Sequence, residues 1–120
     1  MPDGPILIVD DDAFVRTILR EMLADTGHPL REAENGRAAL ALEGPPPRVV
    51  LLDLLMPQMS GMEALALIRD RWPATPVLVI SSMDSDRLVQ EALEAGASGY
   101  ITKPFHPVEI ASAVERVLAA

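Results

Sequence analysis

The segment Val49-Val50-Leu51-Leu52-Asp53-Leu54-Leu55-Met56-Pro57 opens with four consecutive apolar residues and then reaches a carboxylate. A strand with one face in water alternates apolar and polar residues, whereas a strand covered on both faces is apolar throughout. Val49 to Leu52 is of the second kind. Two further runs share its form: Ile6-Leu7-Ile8-Val9, followed by Asp10-Asp11-Asp12, and Val77-Leu78-Val79-Ile80, followed by Ser81-Ser82. The gaps between the runs are long enough for a helix each.

Those helices are read from their periodicity. Phe14, Ile18 and Met22 recur at four residues, as do Val15, Leu19 and Leu23, which predicts a helix whose stripe faces the core, with Gly27 placed to stop it. Leu65 and Ile68 mark a second helix before Pro73. Leu88, Val89, Ala92 and Leu93 mark another, closed by Gly96. Val108, Ala111, Val114 and Leu118 mark a last one, opened by Pro107. Leu30 to Ala33, after His28-Pro29, mixes apolar and charged residues as an edge strand can, and Gly99-Tyr100-Ile101 is a short strand before Lys103-Pro104. A small helix over Arg37 to Glu43, ended by Gly44, fills the remaining gap, and Pro45-Pro46-Pro47 reads as a rigid connection within one sheet. The result is β-α repeated five times, which implies a parallel sheet with helices on both faces.

The chain has 120 residues, the size of one domain, and 49% of them are hydrophobic, enough to bury a core without staples. A single domain over residues 1–120 is expected. Ten Lys plus Arg against eighteen Asp plus Glu give a net charge of −8, which disfavours direct contact with nucleic acid or anionic lipid. Zero cysteines exclude a disulfide framework and a thiolate zinc site. The apolar runs fall far short of the about 20 residues that cross a bilayer, and no basic segment precedes an apolar stretch at the start. The expectation is a protein that is not secreted and not inserted in a membrane.

In sheets of this kind ligands bind beyond the carboxyl ends of the strands, where strand order reverses. Asp10-Asp11-Asp12, Asp53, Ser81-Ser82 and Lys103 all fall at such ends. With strand order 2-1-3-4-5 the first and third strands are neighbours about 4.8 Å apart, so Asp10 or Asp11 can face Asp53. Lys103 has to reach across two strand spacings, within range of a long ammonium side chain. Clustered carboxylates repel, so either one stays protonated, or all are solvated, or a hard divalent cation holds them. Oxygen donors without His or Cys suit Mg²⁺ better than zinc.

Four segments taken in order resemble the receiver domain of two-component response regulators: Ile6 to Asp11; Leu51 to Pro57 with Ser60-Gly61; Val79-Ile80-Ser81-Ser82; and Gly96 to Phe105. The resemblance spans nearly the whole chain and is of the chemotaxis-regulator kind. It implies an α/β fold of the flavodoxin-like, doubly wound type, with five parallel strands in the order 2-1-3-4-5. It also implies a cytoplasmic phosphoacceptor that takes a phosphoryl group from a sensor histidine kinase or a histidine phosphotransfer protein onto Asp53. Asp10, Asp11, Asp53 and the main-chain carbonyl of Leu55 are then the protein's share of an Mg²⁺ site that Mn²⁺ can also fill, Asp11 binding directly and Asp10 largely through water. Lys103 and Ser81 contact the phosphoryl oxygens, and Ser81 with Tyr100 forms a two-state switch under the face made by the fourth helix, fifth strand and fifth helix. Lys103-Pro104 matches a position with a cis peptide. Downstream, the resemblance implies a protein partner or a C-terminal output domain, and it allows a dimer formed on phosphorylation.

Leu55 and Met83 are apolar where some relatives carry polar side chains that orient the hydrolytic water, which predicts a long-lived phosphoryl group. Asp12 reads first as a helix cap. Met56, Met59 and Met62 read as gap fillers ahead of a binding patch. Trp72 packs a helix end, His28 and His106 are solvated loop residues, and Asp84, Asp86 and Arg87 solvate the start of the fourth helix. Two other functions compete. A phosphatase of the haloacid dehalogenase type also uses an aspartyl nucleophile, but Phe14 departs from its motif and Asp53 would have no role. A receiver-like module that is never phosphorylated is the other, opposed by the intact Asp53, Ser81 and Lys103.

Overall fold

Because Val49–Leu52 presents side chains to both faces, the strand must sit in the middle of the sheet with helices above and below, and the computed structural model places it there. The structure describes residues 2–56 and 59–119; Pro57, part of the segment that opens the sequence reading, lies outside them. The elements in chain order are β1 (Ile6–Val9), α1 (Ala13–Leu23), a single 3₁₀ turn (Ala24–Thr26), β2 (Leu30–Ala33), α2 (Gly36–Leu40) and β3 (Val49–Leu52). They continue with α3 (Gly61–Arg71), β4 (Val77–Ser81), α4 (Asp86–Glu94), β5 (Gly99–Thr102) and α5 (Pro107–Ala119). The five strands are parallel in the order β2-β1-β3-β4-β5, with Ile6 opposite Val49 and Val50 opposite Val77.

Alternate residues of each strand feed two cores. Leu7, Val9, Val50, Leu52, Val77 and Val79 pack against Ala39 of α2, Ala64, Leu65 and Ile68 of α3, and Ala92 of α4. Ile6, Ile8, Val49, Leu51, Leu78 and Ile80 pack against Leu19 and Leu23 of α1 and Ile110, Ala113 and Val114 of α5. β2 and β5 are the edges, only partly covered, as the mixed composition of Leu30 to Ala33 led one to expect for β2.

The helical stripes need correction. Phe14 and Val108 are 71% and 74% exposed, and Leu93 is exposed too. Phe14 and Val108 lie in the first turns of α1 and α5, at the carboxyl edge of the sheet, and join neither core, whereas Val15 and Ile110 of the same turns do. Helix α1 also stops at Leu23, four residues before Gly27, which closes the following 3₁₀ turn at φ 78°. Helix α2 is shorter than Arg37 to Glu43, starting at an Asn35 cap whose side chain accepts from Ala38 N–H at 2.7 Å.

The proline connection is tied at two points: Pro46 O accepts from Gly4 N–H at 3.0 Å and Pro47 O from the Thr75 hydroxyl at 2.7 Å. Trp72 is buried at the end of α3. His28 is not simply solvated. Its Nδ1 lies 2.8 Å from Nη1 of Arg48 and its Nε2 3.4 Å from Glu115, and Arg48 also donates to the Gly4 and Asp3 carbonyls. Among the described residues no helix is long and apolar enough to cross a membrane.

Candidate phosphoacceptor site

The carboxyl ends of β1, β3 and β5 bring four charged side chains together. Asp10 directly follows β1, is 2% exposed, and is held by its N–H to Ala33 O at 3.2 Å. Its Oδ1 accepts from Asp12 N–H at 2.9 Å and its Oδ2 from Lys103 Nζ at 3.1 Å. Asp53 follows β3, is 5% exposed, and is fixed by its N–H to Val9 O at 3.0 Å. Its Oδ1 accepts from Leu55 N–H at 3.1 Å, and its Oδ2 is 3.6 Å from Lys103 Nζ. Asp11 is exposed, yet Asp10, Asp11 and Asp53 each offer an oxygen within 4.8 Å of the others.

Burial pushes the Asp53 carboxyl above its ordinary value of 3.8, and the charges of Asp10 and Asp11 push the same way, while the Leu55 N–H and Lys103 oppose them. Three carboxylates face one ammonium here. A hard divalent cation bound by oxygen donors would relieve that excess, and the donor set, all carboxylate oxygen, fits Mg²⁺ chemistry.

Around this group the loops are fixed by caps. Asp12 accepts from Phe14 N–H at 2.9 Å and so caps α1. Ser60 caps α3 through Glu63 N–H at 3.1 Å, and Gly61 lies so close to Leu54 that a Cβ would sit 2.5 Å from the Leu54 carbonyl oxygen. The residue after Asp53 is thus pressed against the start of α3. Met56, Met59 and Met62 pack on the core beneath this loop, as gap fillers do. Lys103 is held by its N–H to Ser81 O at 2.9 Å and precedes Pro104 through a cis peptide bond.

Ser81 and Tyr100 meet at a single residue, Met83. The buried Ser81 hydroxyl accepts from Met83 N–H at 3.1 Å, and the Tyr100 hydroxyl donates to the Met83 carbonyl. Leu55 and Met83 are exposed, beside Asp53 and Ser81 respectively. Asp84, Asp86 and Arg87 are exposed around the start of α4, and so is His106 before α5. Sequence reasoning passed over Arg16, which donates from Nη1 to the Asp10 carbonyl and from Nε to Glu32 at 2.9 Å. Its signal was a basic residue one turn into the helix that follows the acidic loop.

The model of the response regulator receiver domain matches residues 6–115. The chain belongs to the response regulator receiver family. It is 37% identical over 114 residues to the chemotaxis protein CheY of Thermotoga maritima, covering 93% of this chain and 95% of that one. It is 38% identical over 115 residues to the transcriptional regulatory protein ResD of Bacillus subtilis, covering 94% of this chain and 47% of ResD. The crystal structure of the receiver domain of NtrX from Brucella abortus superposes with a TM-score of 0.89 at 32% identity, over 96% of this chain and 98% of that one. This receiver domain is therefore a two-component signalling module and not a conventional enzyme, and its relatives include both chain-length regulators and longer proteins.

Proposed function

We propose that Asp53 of this receiver domain is the phosphoacceptor, taking a phosphoryl group from a phosphohistidine of a sensor kinase or phosphotransfer protein. The observation that carries this reading is the Lys103 ammonium lying 3.6 Å from Asp53 and 3.1 Å from Asp10, beside an oxygen cluster that suits a divalent ion. An Asp53 oxygen attacks phosphorus, the P–N bond breaks, and the histidine nitrogen departs with the bonding electrons. The domain thus catalyses its own modification, since the donor brings the reactive bond and this chain supplies nucleophile and charge.

Before transfer, Lys103, together with the Leu55 N–H, favours the ionised form of Asp53 against its burial; afterwards it pairs with the phosphoryl oxygens. Ser81, at the end of the next strand, supplies a hydroxyl donor once it turns from Met83. Asp10, Asp11, Asp53 and the Leu55 carbonyl would hold Mg²⁺, or Mn²⁺ in its place, which supplies neutralising charge to the transferring group. Turning Ser81 releases the N–H of Met83, the residue whose carbonyl holds the Tyr100 hydroxyl, so Tyr100 swings inward and the face of α4, β5 and α5 changes for a downstream protein, an attached output domain or a second copy. We assign the domain to the cytoplasm, where a kinase finds its phosphoryl source.

Incubation with Mg²⁺ and a small-molecule phosphodonor is expected to add one phosphoryl group by intact mass, and Asp53→Asn is expected to add none. An adduct retained in Asp53→Asn would remove this assignment. Steady turnover of generic phosphate esters would favour a phosphatase instead.

A further inference from the structure

Asp11 is exposed, yet the cation site needs its carboxylate held beside two buried ones. The peptide preceding it supplies that restraint. Asp10 N–H is tied to Ala33 O, the Asp10 carbonyl accepts from Arg16, and beyond Asp11 the Asp12 N–H returns to Asp10 Oδ1 at 2.9 Å. Arg16 is in turn oriented by Glu32, whose Oε1 accepts from Arg16 Nε at 2.9 Å and whose Oε2 lies 3.3 Å from Arg20 Nη1. Glu32 stands on β2 opposite Ile8, so the clamp joins the edge strand to α1 across the loop that carries the acidic residues.

We propose that Arg16, oriented by Glu32, is the positioning residue of the cation site: by fixing the Asp10 carbonyl it sets the Asp10–Asp11 peptide plane and the direction in which Asp11 presents its carboxylate. This rests on reading Asp10, Asp11 and Asp53 as a cation site, and adds what orients it. The effect has a diagnostic sign. Through space, a guanidinium near three carboxylates repels a cation, so deleting it would tighten Mg²⁺ binding if charge alone mattered. Orientation acts the other way, and outer-shell partners of metal ligands typically change affinity about 10–100-fold.

The experiment is a calorimetric titration of MgCl₂ into the parent protein, Arg16→Met, Arg16→Lys and Asp11→Asn, with melting temperatures taken in the absence of metal. Arg16→Met is expected to bind Mg²⁺ about tenfold more weakly. In donor-driven phosphorylation its half-saturating Mg²⁺ concentration should rise by the same factor, with the plateau rate within about twofold of the parent. Arg16→Lys keeps the charge but loses the planar fork that reaches both oxygens, and is expected to fall between the two. Parental or tighter binding in Arg16→Met overturns the inference. If that variant does not fold, parental binding in Arg16→Lys overturns it instead. A parent that binds no Mg²⁺, or an Asp11→Asn variant that binds it as the parent does, overturns the cation site itself.

Discussion

At the scale of single residues, Asp53 is a carboxylate that folding makes harder to ionise. Its pKa is raised in the folded state, mainly by burial. Between its ordinary and its raised value the folded protein holds more protons than the unfolded chain, so stability declines as pH rises through that window. At neutral pH without divalent metal, Asp53→Asn is therefore expected to melt higher than the parent, by about 4 °C for each 1 kcal/mol relieved in a domain of this size. The difference should close below pH 3.8, where Asp53 is protonated in both states. Equal melting temperatures at neutral pH would mean that Lys103 cancels the burial penalty. Leu55 is the second residue of interest, since its half-exposed side chain offers no hydrogen bond beside the acceptor. Leu55→Asn can orient a water toward the phosphoryl group, and one such contact, worth about 1 kcal/mol, should speed dephosphorylation about fivefold. Decay followed by loss of the mass adduct checks this; an unchanged or slower rate rejects it.

At the scale of elements, the β4–α4 connection is where a chemical event at one strand end can reach the neighbouring strand. Met83 is bonded through its N–H to Ser81 and through its carbonyl, one peptide further along, to Tyr100. Ser81→Ala removes the hydroxyl that must change partners, so Tyr100 is expected to give the same ring resonances in phosphorylated and free protein, whereas in the parent they shift. A shift of equal size in Ser81→Ala would show that Tyr100 moves without Ser81. The helices carry a different lesson. Periodicity in α1 and α5 correctly identified an apolar face but not how far it is covered. Phe14 and Val108 lie on the first turns of their helices and stay exposed, which only the assembled layers reveal.

At the scale of the whole molecule, one five-stranded sheet separates two apolar layers, and the site lies along its carboxyl edge. The core sets the stability on which the crowded carboxylates draw. Ile68→Ala, at a fully buried position of α3, is expected to cost about 2–5 kcal/mol. That is a large part of the about 5–15 kcal/mol typical of a domain. A lowered urea midpoint at unchanged slope would register it, and a loss below about 1 kcal/mol would mean that the layer collapses to fill the gap.

The sequence by itself determined the sheet and the chemistry at its edge. Val49–Leu52, with its two neighbouring runs, has no polar residue to turn toward water, so it demands cover on both faces, and the residues that follow such strands fall at one edge. Asp10, Asp53 and Lys103 were legible for that reason. Only the tertiary structure decided what holds them. The clamp of Glu32 and Arg16 on the Asp10 carbonyl, the main chain of Met83 shared by Ser81 and Tyr100, and the contacts of His28 with Arg48 and Glu115 join residues from separate elements. Periodicity reports which way a side chain points along its own element. A hydrogen bond between elements depends on distances that exist only once the layers have packed.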